Sequence, residues 1–167
     1  MRYRAVRVAR MGLLFALSIA LSFLEAQVSG LVPVPGIKIG LSNIATMYCL
    51  FCLGKREAYL LAGLKGFFTL LVRGAVGAAM SFFGGITAVT AMLLLKKAGK
   101  GNFSYGFLSI AGGVFHNIGQ LVVASLVLKS SSVFYYLPIL MISGVAMGCL
   151  TGFLLQRLMP RFKRIFF

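Results

Sequence analysis

Six apolar segments follow one another along the chain, at residues 8–29, 39–53, 58–72, 75–95, 105–128 and 133–156. Long uninterrupted apolar runs are typical of helices that cross a membrane. The second and third segments have about 15 residues each, or about 22 Å as helix, which is shorter than a hydrocarbon core of about 30 Å. We therefore predict one all-α domain over residues 1–167, a bundle of six transmembrane helices with two short members.

The stretch that leads from the first segment into the second, residues 33–43, reads Pro-Val-Pro-Gly-Ile-Lys-Ile-Gly-Leu-Ser-Asn. Two prolines and two glycines within eight residues disfavour a helix, so we expect irregular backbone and an outward-facing cap at residues 29–38. Irregular backbone at membrane depth needs protein or a water-filled cavity to satisfy its polar groups. Lys38 and Asn43 add a cation and an amide, which predicts a cavity with a positively charged floor.

The composition excludes an ordinary soluble domain. Hydrophobic residues make up 60% of the chain, and the mean hydropathy is +0.98, values typical of integral membrane proteins. The formal net charge is +15, from 17 Lys and Arg against 2 acidic residues. On a soluble chain such an excess indicates nucleic-acid binding. Here the basic residues fall at segment ends, so we predict no nucleic-acid partner.

The basic residues predict the orientation in the membrane, because cytoplasmic loops carry an excess of Lys and Arg. If successive segments cross the membrane in opposite directions, thirteen of the 17 basic residues lie on the same side as both termini. This predicts that both termini are cytoplasmic, in a protein of the plasma membrane. The remaining four are Lys38, Lys65, Arg73 and Lys129. The thirteen are Arg2, Arg4, Arg7, Arg10, Lys55, Arg56, Lys96, Lys97, Lys100, Arg157, Arg161, Lys163 and Arg164.

Polar side chains inside the spans form a candidate ligand-binding site, because such residues are costly in a membrane and mark functional positions. The alternatives are that Arg73 extends to the lipid headgroups and that the others make separate interhelical pairs. Aromatic residues that could cover an apolar part of the ligand are Phe67, Phe82 and Phe115. The predicted site residues are Lys38, Asn43, Lys65, Arg73, His116, Asn117 and Gln120.

Glu25 is the acidic residue predicted to support this site. Its expected partner is Lys38, Lys65 or Arg73, since an unpaired carboxylate at that depth would take up a proton. Three cations and one carboxylate leave two positive charges in excess, which is unfavourable unless an anion or water reaches them. We therefore expect an anionic small molecule as the ligand, with carboxylate and phosphate both open.

No residues suited to catalysis are evident. The chain has no Asp, and Glu57 follows directly after Lys55 and Arg56. The sequence shows no cluster of metal ligands and no phosphate-binding loop of the G-x-x-x-x-G-K-[ST] type. Its three cysteines lie in apolar segments and suggest small packing residues without a disulfide. We therefore expect a protein that is not an enzyme and has no metal or cofactor.

Two stripes of small residues predict close helix contacts. Gly12, Ala16 and Ala20 lie four residues apart in the first segment, where either packing inside the bundle or docking of a partner helix would explain them. Gly144, Gly148 and Gly152 repeat the spacing in the sixth segment, where packing within the bundle is the favoured explanation.

Several of these motifs together resemble a known family over nearly the whole chain. The family is the Gx transporter or heptaprenyl diphosphate synthase component I membrane family. It is similar to the substrate-binding S components of energy-coupling factor (ECF) transporters, which have six helices and two cytoplasmic termini. The motifs are residues 33–43, Glu25, Gly54-Lys-Arg-Glu57, Arg73, His116-Asn-x-x-Gln120 and Tyr136-Leu-Pro138.

The resemblance implies a partner for the first small-residue stripe. In S components an Ala-x-x-x-Ala stripe on the first helix meets the membrane coupling subunit, and Ala16 and Ala20 match it. It implies uptake of a vitamin, quinone or isoprenoid precursor, powered by separate ATPase subunits. The alternative is a non-catalytic membrane partner of a prenyl diphosphate synthase or of a quinone or flavin redox assembly. The aspartate-rich motifs of a catalytic prenyltransferase are missing from the sequence.

Overall fold

The computed structural model describes residues 2–29 and 40–166, and all regular structure in these residues is helical. Four helical stretches are long and apolar enough to cross a membrane: Ala5–Glu25, Lys55–Ala98, Tyr105–Leu128 and Ser131–Pro160. A π-helical turn, Cys49–Leu53, continues α2, and a 3-10 segment, Ser131–Tyr136, precedes α5. The five α-helices are α1 (Arg2–Ser29), α2 (Leu41–Tyr48), α3 (Lys55–Ala98), α4 (Tyr105–Leu128) and α5 (Leu137–Phe166).

Helix α3 folds back on itself at Gly74. This glycine has φ 72° and ψ −176°, a conformation outside the helical range that glycine adopts without steric cost. The Tyr59 and Thr90 hydroxyl oxygens lie 2.8 Å apart, whereas a straight helix would separate residues 31 apart by about 46 Å. The structure thus combines in α3 the segments predicted at 58–72 and 75–95, as two antiparallel arms, residues 55–73 and 75–98.

Helix α2 is buried on almost every side. Six of its eight residues are buried, among them the polar residues Ser42 and Thr46. With the π-helical turn it covers 13 residues, or about 20 Å, so the expected short second segment is confirmed. Its partners in the core include Met11, Leu14, Leu61, Val89, Met92 and Leu155.

The small-residue stripe of α5 packs against α4, as expected from the sequence. A Cβ atom at Gly148 would lie 2.5 Å from the Ile110 Cα, and one at Gly152 would lie 2.7 Å from the Gly106 Cα. Real Cβ atoms do not come this close to backbone, so only glycine permits the observed approach of the two helices. This stripe is an internal packing surface.

The stripe of α1 faces away from the bundle. Gly12, Ala16 and Ala20 are all exposed, and a Cβ atom added at Gly12 would have no neighbour within 4 Å. Helix α1 contacts the rest of the bundle through other positions. Among these are Phe15 and Phe23, whose rings pack edge-on against Phe68 of α3. The two stripes therefore have opposite surroundings in the structure.

One end of the bundle collects most of the described basic side chains, and we call it the basic end. Within the described residues, the basic end consists of the N-terminal part of α1, the π-helical turn, both ends of α3 and the C-terminal part of α5. The contacts that join these parts are the Arg7–Glu57 ion pair, Lys96 Nζ at 5.1 Å from the centre of the Phe51 ring, and Cys52 Sγ at 3.7 Å from Met159 Sδ.

Candidate ligand-binding site

Lys65, on the first arm of α3, points its ammonium group toward α2. Its Nζ donates to the backbone carbonyl of Ser42 and to the side-chain oxygen of Asn43, each at 3.2 Å. Lys65 is half-buried, so the carbonyl and amide oxygens replace part of the water that a lysine loses inside a bundle. The structure therefore brings together two of the predicted site residues, Asn43 and Lys65.

The chain segment before α2 connects this lysine with Glu25. Gly40 has a left-handed conformation, with φ 77°, immediately before the first residue of α2. Its N–H donates to Glu25 Oε1 at 2.8 Å, and its carbonyl accepts from the Asn43 N–H at 2.9 Å. Glu25 is 5% exposed. The expectation from the sequence that a cation is the partner of Glu25 stays a prediction, and the described hydrogen bond of Glu25 is to the backbone N–H of Gly40.

Of the two other predicted cations, only Arg73 is among the described residues, and it does not join this group. Lys38 lies outside the described residues, as do residues 30–38 of the expected outward cap. Arg73 is exposed and follows Lys65 by two helical turns, or about 12 Å along the arm. Its position beside Gly74 at the tip of α3 agrees with the alternative in which the guanidinium extends to the lipid headgroups.

The polar residues of α4 divide between two neighbours. Asn117 is buried and donates from Nδ2 to the Leu140 carbonyl of α5 at 2.7 Å, so it makes the interhelical bond that was the alternative to a ligand role. His116 and Gln120 instead face the second arm of α3. A Cβ atom at Gly84 would lie 3.0 Å from both of their side chains.

Gln120 is almost completely buried without a full set of hydrogen bonds. The residue is 4% exposed, and its Nε2 has no partner among the residues that the structure describes. Buried amide donors are normally paired, so an unpaired one requires an explanation. A ligand atom or an ordered water would supply the missing acceptor.

Gly66, the residue after Lys65, and Gln120 of α4 pack against the same turn of the second arm of α3. Gly66 packs against Phe82, and Gln120 packs against Gly84. Lys65 and Gln120 therefore lie at a similar level along α3. The structure brings Asn43 and Lys65 into direct contact and places His116 and Gln120 against this turn.

Comparison with known families identifies the type of chain. Residues 14–158 match the family described as heptaprenyl diphosphate synthase component I. The chain belongs to this family. The matched residues contain every predicted site residue except Gly12 of the α1 stripe. No curated protein and no solved structure matches the chain.

The aromatic residues that were predicted to cover the ligand lie at the surface of the bundle. Phe67, Phe82 and Phe115 are all exposed, and Phe82 packs against Gly66, the residue after Lys65. For this member of the component I family, the role of the three rings in covering a ligand stays a prediction.

Two contributors to the group around Lys65, and one residue on the same helix, were not predicted from the sequence. Ser42 supplies a backbone carbonyl, which any residue type could do. Gly40 supplies the N–H that Glu25 accepts, and its glycine identity was a signal for special backbone. Thr46 is a buried hydroxyl one turn after Asn43, and threonine in an apolar helix usually bonds to its own backbone and draws no attention.

Proposed function

We propose that this protein is a non-catalytic membrane subunit that binds a small anionic, partly apolar molecule for uptake. The observation that carries the proposal is the half-buried ammonium of Lys65, held by Asn43 inside an apolar bundle. A cation at such a position is costly and marks a site in membrane proteins. An anionic ligand group would offset that cost through charge-assisted hydrogen bonds, which are stronger than bonds between neutral groups.

The chemistry of the ligand is that of a vitamin, a quinone precursor or an isoprenoid precursor. An isoprenoid diphosphate combines an anionic head with an apolar chain, and the name of the family refers to an enzyme that makes such molecules. Lys65 would bind the anion, while Asn43 and the unpaired amide of Gln120 would orient its polar atoms. Lys38, Arg73 and His116 remain part of the proposed site as further cationic or polar contacts.

The proposed arrangement in the membrane has six crossings with both termini in the cytoplasm. The two arms of α3 count as separate spans, and the basic end faces the cytoplasm, where positive loops are retained. Energy would come from separate ECF-type ATPase subunits through a coupling subunit. The exposed stripe of Gly12, Ala16 and Ala20 supports this partner, because it offers a flat surface without large side chains to another helix.

A second candidate function is a membrane partner of a soluble prenyl diphosphate synthase, and the family name favours it. A partner of that kind needs the basic end as a contact surface and has no use for a cation inside the bundle. The two proposals therefore differ in what the protein should carry when it is purified, a small molecule or a synthase subunit.

Native mass spectrometry of the purified protein tests the first proposal. We expect a bound small molecule in the wild type, and Lys65→Met should lose it while the protein keeps its helical content. Loss of one charge-assisted hydrogen bond typically weakens binding by roughly ten- to a hundredfold. Lys97→Met is the matched control, because it removes the same charge from an exposed position of the same helix.

The outcomes separate the candidate functions. A ligand that is retained by Lys65→Met contradicts the role of this lysine. A wild-type protein that co-purifies with a prenyl diphosphate synthase subunit and carries no small molecule contradicts uptake and supports the partner function. In that case Lys65→Met should leave the amount of bound synthase unchanged.

A further inference from the structure

Thr46 is the exception among the threonines of this chain. The other four each donate a hydroxyl hydrogen bond to the carbonyl four residues earlier, which is the usual arrangement in helices. Thr46 is 5% exposed, and its hydroxyl has no hydrogen-bond partner within the described parts of the chain. The four regular bonds run from Thr69 to Lys65, Thr87 to Phe83, Thr90 to Ile86 and Thr151 to Met147.

The reason for the exception is the lysine of the candidate site. The carbonyl four residues before Thr46 belongs to Ser42, and it accepts from Lys65 Nζ at 3.2 Å. A carbonyl oxygen has two lone pairs, and in an α-helix the other one accepts from the N–H of Thr46 itself. Both lone pairs are thus in use, and the Thr46 hydroxyl loses its normal acceptor.

The position of Thr46 relates this hydroxyl to the same site. Thr46 follows Ser42 by four residues and Asn43 by three, so the three share one face of α2. That face is the one that the ammonium of Lys65 contacts. A hydroxyl donor, an amide and a cation therefore lie within about one helical turn of one another on the contact between α2 and α3.

We propose that Thr46 is a ligand-binding residue whose hydroxyl donates to the same oxyanion that Lys65 binds. A carboxylate or phosphate oxygen accepts several hydrogen bonds at once and would pair the cation and the hydroxyl together. The inference rests on the proposed function, because it concerns the same site. It adds a neutral hydrogen-bond donor beside the cation of Lys65.

Binding of farnesyl diphosphate and of dodecanoate to the purified protein tests this role, with farnesol as the uncharged counterpart of the diphosphate. Thr46→Val keeps the shape of the side chain and removes the hydroxyl. We expect affinity for the oxyanion that binds wild type to fall about tenfold, corresponding to one lost hydrogen bond. Thr46→Ser should restore it, and Thr69→Val should bind like wild type because its hydroxyl is used by its own helix.

Thermal unfolding of the ligand-free protein supplies a second readout. Removal of an unpaired buried hydroxyl should leave the melting temperature of Thr46→Val unchanged or higher, whereas a hydroxyl with a structural partner would lower it. Thr90→Val, which loses contacts to Tyr59 and Ile86, provides the reference for such a loss. A Thr46→Val protein that melts as low as Thr90→Val overturns the proposal.

The binding results separate this inference from the proposed function. Equal affinity of wild type and Thr46→Val for the bound oxyanion contradicts the role of Thr46 and leaves that of Lys65 intact. A wild-type protein that binds neither farnesyl diphosphate nor dodecanoate contradicts the proposed function and this inference with it. Binding of farnesol as tightly as farnesyl diphosphate likewise rules out an oxyanion contact.

Discussion

Asn117 and Gln120 are buried amides three residues apart on α4, yet their surroundings differ. Asn117 donates to the Leu140 carbonyl of α5, while Gln120 faces Gly84 of α3 with its Nε2 unpaired among the described residues. An amide that bridges two helices contributes to stability, and a buried amide without a partner reduces it. The first therefore has a structural role, and the second is available to a ligand.

Substitution at these two positions should have opposite effects on the ligand-free protein. Asn117→Ala removes an interhelical hydrogen bond and should destabilise the bundle by about 1–3 kcal/mol. Gln120→Met keeps the side-chain length and removes the unpaired donor, so we expect stability that is unchanged or higher. Thermal unfolding in detergent measures both, and an equal loss at the two positions would show that Gln120 has a structural partner.

Sequence alone was enough to select Lys65, Asn43 and Gln120 as candidate site residues, because polar residues are conspicuous in apolar segments. It could not identify the Ser42 carbonyl, since a backbone acceptor has no signature in the residue type. Spacing on one helix also misled in one case. Asn117 is next to His116 in the chain, but adjacent residues of a helix point about 100° apart, and the two face different neighbours.

At the scale of elements, two stripes with identical spacing have different surroundings. The spacing of Gly12, Ala16 and Ala20 and that of the α5 glycines each predict a smooth face. The spacing does not show what covers that face. The sequence therefore could not decide whether the α1 stripe packs inside the bundle or contacts a partner helix. The break in α3 was predictable, because the polar residue Arg73 and the flexible Gly74 separate two apolar runs.

Leucine substitutions should distinguish the stripes. Gly148→Leu places a side chain where a Cβ atom alone would lie 2.5 Å from the Ile110 Cα, and overpacking typically costs about 1–3 kcal/mol or more. Ala16→Leu adds volume at an exposed position and should leave the melting temperature unchanged. In the proposed transport complex it should nonetheless weaken binding to the coupling subunit, as measured by co-purification.

A lowered melting temperature of Ala16→Leu would contradict the outward orientation of the α1 stripe. Gly148→Leu serves as the positive control for overpacking in the same assay. If both variants unfold equally, α1 packs against the bundle through this stripe in solution, and docking through it is excluded.

At the scale of the whole molecule, the asymmetry of charge is the dominant feature. Composition was sufficient to predict a helical membrane protein, because no soluble domain of this size contains so much apolar sequence. The arrangement of the helices around α2 was not predictable, since apolar runs do not specify which segment lies in the centre. The gathering of Arg7, Glu57 and Lys96 at one end follows from that arrangement.

Labelling of single cysteines tests the proposed orientation. In a variant with Cys49, Cys52 and Cys149 replaced by Ser, we would introduce Ala98→Cys at the basic end or Ser131→Cys before α5, both exposed positions. A membrane-impermeant maleimide added to intact cells should label only the second protein. Labelling of Ala98→Cys from outside would contradict cytoplasmic termini.

The central position of α2 has a consequence for how the protein is made. Residues 41–53 reach only about 20 Å as helix, too short to span a lipid core of about 30 Å without protein around them. They leave the ribosome before α3 and α5, which supply much of their enclosure. The second helix in order of synthesis is therefore completely enclosed only after the C-terminal helix has been made.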